Sequence, residues 1–204
     1  TGKTLTEVQP RIAVNATNTP GDAGSNFIIN TSGSYYLPGN LAVSAGKFGI
    51  RITAPGVTLD LNGFTISGTN TLAGISLNNN AHRATISNGT ISGLGYDGID
   101  GGLAVNCRYI NLTLSGNGVG AANRFGLRAG NGFSFNEGSV VIGCVASGNT
   151  GNNFVSGNNS TIRNCTATGG GGWGFVLGES NIAEQCSAIG TGGGPGFSIA
   201  INGR

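Results

Sequence analysis

Three segments in the second half of the chain share the pattern Cys-x-Ala-x-Gly. They begin at Cys144, Cys165 and Cys186, and each begins twenty-one residues after the one before. Upstream the pattern continues, headed by an apolar residue or glycine, at Leu41, Phe64, Gly89 and Leu112. A repeat of this length indicates a solenoid, in which each unit buries its apolar face only against its neighbours.

Two further apolar columns accompany this motif in every repeat. In the second column, glycine or asparagine comes directly before Ile50, Ile75, Ile99, Leu127, Phe154, Phe175 and Phe197. The third column precedes each motif and contains Val57, Leu59, Ile86, Ile110, Val140, Ile142, Ile162 and Ile182. Three short stretches of inward-pointing residues per repeat, separated by turns, are typical of β-strands. The sequence therefore predicts an all-β protein, a right-handed single-stranded parallel β-helix of about seven rungs.

The two ends of the chain differ from the repeats. Residues 1–26 lack the pattern and are predicted to form an extended segment that caps the solenoid or takes part in assembly, whereas residues 27–204 form the β-helix domain. The last residues, through Ile201, are apolar and fall in the middle of a rung. A truncated chain, a short cap formed by residues 202–204 and a contact with another subunit all remain open as explanations.

The aligned cysteines are predicted to form a buried column of free thiols. Side chains stacked at the ~4.8 Å strand spacing hold their Cβ atoms too far apart for disulfides. Cys107 lies outside the column, and the sequence leaves its redox state open. Because no Cys-x-x-Cys pair occurs, no zinc site is expected.

Composition limits the partners of the chain. The net charge is +2, only 9% of residues are charged, and no basic cluster occurs, so no nucleic-acid partner is expected. No run of eighteen apolar residues occurs, so no membrane insertion is expected. Abundant Thr, Ser, Asn and Gly with only two lysines favour a secreted or cell-surface location.

Two stretches near the start of the repeats resemble a known family. The segments 33–41 (GSYYLPGNL) and 56–68 (GVTLDLNGFTISG) are similar to the opening of secreted bacterial right-handed β-helix proteins, and later rungs resemble pectate-lyase-like repeats. The resemblance implies the fold but not one function, because this superfamily includes lyases, glycoside hydrolases, tailspikes, adhesins and proteins of unknown role. Pectate lyases imply clustered carboxylates that hold Ca²⁺. This chain departs from that pattern, so no cofactor is predicted, with Ca²⁺ kept open.

Asp97 and Asp100 form the densest acidic spot and are the first candidates for catalysis. Paired carboxylates serve in glycosidases and in calcium sites. In the alternative interpretation, Asp97 bonds backbone amides of its turn and Asp100 points to solvent. His82 is the only histidine and a further candidate, but the sequence supplies no partner that would orient it as a general base.

Candidate ligand-binding residues come from one expanded rung and from the turns. The rung between Leu112 and Cys144 carries an insertion, which is either functional or a tolerated loop. Phe125 and Trp173 are predicted to share the turn column just before the glycine with Asp97 and Pro195, and their aromatic rings suit either sugar stacking or turn packing. The predicted ligand-binding residues are Tyr96, Arg124, Phe125, Arg128 and Trp173.

The sparse titratable residues and the regular core favour a non-catalytic role. The leading hypothesis is an extracellular structural β-helix that self-associates through its ends or a flank, as a fibre, surface layer or adhesin. The alternatives are a polysaccharide lyase or glycoside hydrolase, or a carbohydrate-binding β-helix with a polysaccharide partner.

Overall fold

The computed structural model describes residues 11–119, 130–190, 192 and 194–200. Every regular element in these residues is a β-strand, and the strands pair in parallel from one repeat to the next. None of the described residues forms a helix long and apolar enough to cross a membrane. The predicted all-β parallel β-helix is confirmed.

One face of the solenoid is a sheet of eight strands, one from each rung. In order they are β2 (Ser25–Ile29), β5 (Phe48–Ile52), β8 (Ile75–Leu77), β10 (Ile99–Gly101), β12 (Phe133–Phe135), β15 (Phe154–Ser156), β18 (Phe175–Leu177) and β21 (Phe197–Ile199). The helix has about eight rungs, against about seven predicted, because β2 adds a rung in which Phe27 pairs with Ile50.

The other two faces belong to one sheet of thirteen strands. The second face contains β1 (Ile12–Ala13), β3 (Gly33–Tyr36), β6 (Val57–Asp60), β9 (Thr85–Ser92), β11 (Arg108–Ser115), β13 (Val140–Ile142), β16 (Thr161–Arg163) and β19 (Ile182–Glu184). The third face contains β4 (Leu41–Ala42), β7 (Thr65–Ser67), β14 (Val145–Ser147), β17 (Thr166–Thr168), β20 (Ser187–Ile189) and the second halves of β9 and β11. Asn88 and Asn111 adopt positive φ (59° and 52°), so these two long strands turn from the second face to the third.

The register differs from the prediction where the insertion lies. Phe133, not Leu127, pairs with Ile99 and Phe154 in the second column. Leu127 lies outside the described residues. Both positions follow a glycine, so the local sequence fits either, and only the pairing across rungs distinguishes them.

Smaller corrections occur where neighbouring residues are all apolar. The inward positions of the third column are Tyr109, Val141 and Ala183, and the predicted Ile110, Val140, Ile142 and Ile182 point outward. Leu41 pairs with Ile66, so it is not aligned with Phe64. In a β-strand every second residue points inward. Where several consecutive residues are apolar, either alternate set could be the inward one, so the sequence pattern alone does not identify it.

The core is built from columns of like residues. Phe133, Phe154, Phe175 and Phe197 stack with ring centroids 4.7–4.9 Å apart and planes within 5–6°. The predicted thiol column is present: Cys144 and Cys165 are buried, Cys186 is half-buried, and all are free. Cys107 is also buried and free. Burial raises the pKa of the Cys107 thiol, which makes it a weakly reactive group.

The two ends of the described solenoid are covered to different extents. At the amino end, β1 pairs with β3, Val14 is buried, and Pro20 forms an antiparallel bridge to Phe27. The predicted boundary between residues 26 and 27 thus falls inside β2. At the other end, Phe197 and Ile199 face inward in register with Phe175 and Leu177, yet they are about two-fifths exposed (38% and 43%).

Candidate functional site

Asp97 lies in the turn before β10, and its carboxylate bonds the next rung. Its Oδ1 accepts backbone N–H groups from Gly130 at 3.1 Å and Asn131 at 2.8 Å, and Oδ2 accepts the Asn131 side-chain amide at 3.4 Å. The residue is only 9% exposed. Its bonds hold the chain where it re-enters the solenoid after the insertion. The structure therefore gives Asp97 the bonding pattern of a backbone anchor.

The same turn position is repeated along the solenoid as a ladder of side-chain oxygens. Asn131 Oδ1 accepts the N–H of Asn152, and Asn152 Oδ1 accepts the N–H of Trp173, both at 2.9 Å. We call Asp97, Asn131 and Asn152 the turn ladder. Asn131 occupies the column position predicted for Phe125, because the insertion shifts the register. Trp173 is half-buried three rungs from Asp97, about 14 Å along the axis at the strand spacing.

Burial has the largest effect on the pKa of Asp97, the one carboxyl group of the turn ladder. The pKa of Asp97 is raised from 3.8 to about 7, with burial as the largest cause; the N–H donors of Asn131 and Gly130 act to lower the pKa, and the charge of the nearby Asp100 acts to raise it. Burial likewise raises the pKa of Asp100, although the Gly102 N–H opposes this.

The stability of the protein is expected to depend on the ionisation of Asp97. Because its folded pKa of about 7 exceeds the 3.8 of the unfolded chain, the folded state binds the extra proton between these values. The free energy of unfolding should therefore fall as pH rises from about 4 to about 7, by up to about 4 kcal/mol, and level off above that. Urea denaturation across this range measures the slope.

Asp97→Asn should remove most of that slope, because an amide retains an acceptor oxygen for the two backbone N–H groups but does not ionise. Asp22→Asn, in an exposed loop, is the matched control and should leave the fall between pH 4 and 7 in place. Equal slopes in the wild type and Asp97→Asn would show that Asp97 titrates at an ordinary pKa.

Asp100 belongs to an outward row of polar side chains on the eight-stranded face. Arg51, Ser76, Asp100 and Ser134 occupy the same position on successive rungs. Arg51 lies over the Phe48 ring at 5.9 Å and forms no ion pair with any described residue. Ser76 is only 8% exposed, between its longer neighbours. We call these four residues the polar row.

His82, Tyr96 and Trp173 are the remaining candidates within the part of the chain that the structure describes. His82 Nδ1 accepts the Val105 N–H at 3.1 Å, so one ring nitrogen already bonds the backbone. Tyr96 precedes Asp97, and its buried hydroxyl has no hydrogen-bond partner among the described residues. Arg124, Phe125 and Arg128 lie outside the described residues. Within residues 11–119, 130–190, 192 and 194–200, no three His, Cys, Asp or Glu residues are grouped as metal ligands, so no Ca²⁺ position can be assigned.

The sequence interpretation missed a buried asparagine ladder. Asn117 Nδ2 donates to Asn149 Oδ1 at 3.0 Å, and Asn149 Nδ2 donates to Asn153 Oδ1 at 2.8 Å. All three are at most 1% exposed. Asn117 and Asn149 directly follow the glycines Gly116 and Gly148, and this Gly-Asn recurrence was the available signal.

Two columns of outward hydroxyl side chains on the third face were also missed. Each strand there has the form outward-inward-outward, and its outward residues pair directly with those of the next rung. We call this surface the hydroxyl face: Thr65, Thr90, Thr113, Val145, Thr166 and Ser187 in one column, and Ser67, Ser92, Ser115, Ser147, Thr168 and Ile189 in the other. The recurring Thr-x-Ser triplets of the sequence were the signal.

Comparisons with known proteins place the fold and no more. No family model matches the chain, and no curated protein matches it. It is similar to the crystal structure of pectate lyase Pel9A, at 15% identity and a TM-score of 0.51 over 93% of this chain and 66% of that one. It is also similar to the Dettilon tailspike protein gp208, at 12% identity and 0.52 over 81% and 42%.

The chain shares the parallel β-helix fold of both proteins. It spans just under two thirds of the length of the lyase chain and under half of the tailspike chain. At 15% and 12% identity, the similarity supports the β-helix fold and does not indicate a function.

Proposed function

We propose that this protein is an extracellular, non-catalytic β-helix that self-associates through the apolar surface of its last described rung. Four of the eight exposed large hydrophobic side chains of the described residues lie in that rung, and this observation carries the proposal. Phe197 and Ile199 face the core at the end of the solenoid, and Ile182 and Ile189 point outward from the flanks of the same rung; we call these four residues the end surface. Exposed apolar side chains that are concentrated in one place mark interaction sites.

Strand edges add to the apolar attraction. The strands β19, β20 and β21 are the last of their columns, so among the described residues each has no further partner on one side. Such edges accept another strand through backbone hydrogen bonds. A second copy of this chain offers both complements, a matching row of strand edges and a matching apolar core.

The covered amino end favours a closed pair over a fibre. Head-to-tail stacking would need a free first rung, but β1 already pairs with β3 and Pro20 bridges to Phe27 there. Two end surfaces can instead meet about a two-fold axis, which closes after one contact. The proposal is therefore an end-to-end dimer.

The bonding of the candidate catalytic groups supports a non-catalytic role. Asp97 accepts two backbone N–H groups, and His82 accepts one. A general base removes a proton through a free lone pair. In each side chain one acceptor atom, Asp97 Oδ1 or His82 Nδ1, is instead engaged in stabilising a turn between rungs.

Ile199→Lys tests the end surface. A lysine here would place one positive charge from each copy within the contact and remove apolar contact worth roughly 1.5–3 kcal/mol per side chain. The dimer dissociation constant should rise at least about tenfold, as measured by sedimentation velocity on the full natural chain.

Leu103→Lys is the matched control, because Leu103 is 63% exposed on a turn away from the end surface. It should leave the dissociation constant unchanged. A monomeric wild type, or equal effects of the two lysines, would contradict the proposal. Thermal unfolding of each variant verifies that it remains folded.

Polysaccharide binding along the polar row is a second candidate, favoured by the guanidinium of Arg51, which forms no ion pair with a described residue and lies in line with Ser76 and Asp100. A sugar chain lying parallel to the solenoid axis would meet the Arg51 cation, the Asp100 carboxylate and the Ser134 hydroxyl, on rungs spaced ~4.8 Å apart. Both structural neighbours fit this candidate in fold, and one is a pectate lyase. Glycan-array binding that is lost in Arg51→Gln would support it, and a blank array would exclude it.

A further inference from the structure

The hydroxyl face is a regular two-dimensional array. Along the axis its side chains repeat at the strand spacing of ~4.8 Å, and across each strand its two columns are about 6.6 Å apart, two residues at ~3.3 Å. Pairing is in direct register from Thr65 through Ser187, with no bulge between rungs. Six rungs extend the array over about 24 Å.

The hydroxyl groups of this array are available to an external partner. Among the described residues, one side-chain hydrogen bond links the twelve positions, from Ser187 Oγ to Thr166 Oγ1 at 3.3 Å. None of the twelve carries a charge or an aromatic ring. The face therefore offers neutral donors and acceptors together with threonine methyl groups, on a lattice that the backbone fixes.

We propose that the hydroxyl face binds the surface of ice. Both repeats lie near the spacings between oxygen rows in the ice lattice, so water held between the two columns would already occupy lattice-like positions. Ordered water that bridges protein hydroxyls binds nearly as well as a direct partner. The threonine methyl groups restrict the alternative positions of that water. Because the paired strands of the hydroxyl face hold its side chains in place, less ordering of side chains is needed on binding.

The composition of the face favours ice over a polysaccharide. Sugar rings are bound by aromatic platforms and by clefts, and these twelve positions contain no aromatic ring. Charged side chains would hold water in competing orientations, and none occurs there. Val145 and Ile189 are the two positions of the face that lack a hydroxyl group. Both are uncharged, and valine has nearly the shape of threonine. The hydroxyl face shares only Ile189 with the end surface, and this inference does not rest on self-association.

Thr90→Tyr and Thr85→Tyr form a matched pair on the single strand β9. Thr90 lies within the array between Thr65 and Thr113, whereas Thr85 lies on the second face between Thr58 and Arg108. Both side chains are half-buried and point outward. A tyrosine at position 90 would protrude from the array and separate it from a flat lattice, and the same change at position 85 would leave the array intact.

The test is thermal hysteresis, the gap between the melting and freezing points of an ice crystal in a solution of the purified protein. Wild type and Thr85→Tyr should show equal hysteresis and partition into growing ice, and Thr90→Tyr should lose more than half of both. Circular dichroism checks that both variants keep the β-helix. Absence of hysteresis in the wild type, equal loss in both variants, or retention on microcrystalline cellulose without ice binding would overturn the inference.

Discussion

Phe154→Ala is expected to lower the free energy of unfolding by about 3–5 kcal/mol. Phe154 is fully buried, and its ring stacks between Phe133 at 4.9 Å and Phe175 at 4.7 Å. The substitution creates a cavity and removes both ring contacts, each worth about 0.5–1.5 kcal/mol beyond burial. Because a solenoid is stabilised by contacts between neighbouring rungs, the loss weakens two interfaces. Urea denaturation followed by circular dichroism measures it.

Val155→Ala is the control for this substitution, because Val155 is adjacent in β15 but half-buried and outward. It should lower the free energy of unfolding by well under half as much. If the two variants were equally stable, Phe154 would not lie in a packed aromatic column, and the register that aligns it with Phe133 would be wrong.

Asn149→Ala is expected to lower the free energy of unfolding by about 2–4 kcal/mol. The Asn149 amide accepts from both the backbone N–H and the side chain of Asn117 and donates to Asn153 and to the Leu114 carbonyl. Its removal leaves these buried groups without partners, and each such group costs about 1–3 kcal/mol when it is not bonded by entering water. The loss should appear in equilibrium denaturation.

Asn79→Ala is the matched control for the asparagine ladder. Asn79 is exposed in a turn, and no side-chain hydrogen bond to another described residue is present. We expect a change within about 0.5 kcal/mol. A similarly small change in Asn149→Ala would mean that water replaces the ladder amide at little cost.

The sequence predicts the repeat well because stacked columns require like residues at the same place in every rung. The cysteine column and the phenylalanine column each follow from that requirement. The sequence does not predict well which residues of a strand point inward wherever several apolar residues are consecutive. At Val140 to Ile142, both phases of the alternation satisfy the pattern, and only pairing with Ile162 fixes Val141 as the inward residue.

The site residues were harder to predict than the rungs because their roles depend on contacts between rungs. The position of Asp97 in a turn was readable, but its bonds to Gly130 and Asn131 cross an insertion of variable length. Because of the same insertion, the sequence predicted Phe125 as the neighbour of Asp97 in the turn column, whereas the residue at that position is Asn131. Polar columns such as the hydroxyl face carry no hydrophobic signal, so a search for buried positions passes over them.

Small-angle X-ray scattering of the full natural chain tests the central claim, end-to-end self-association, most directly. The eight described rungs at ~4.8 Å span roughly 40 Å, and an end-to-end dimer has about twice the length of its monomer with the same cross-section. The account predicts that the maximum dimension increases to this doubled value as concentration rises. A particle that keeps the single length at every concentration, or that thickens without lengthening, would contradict it.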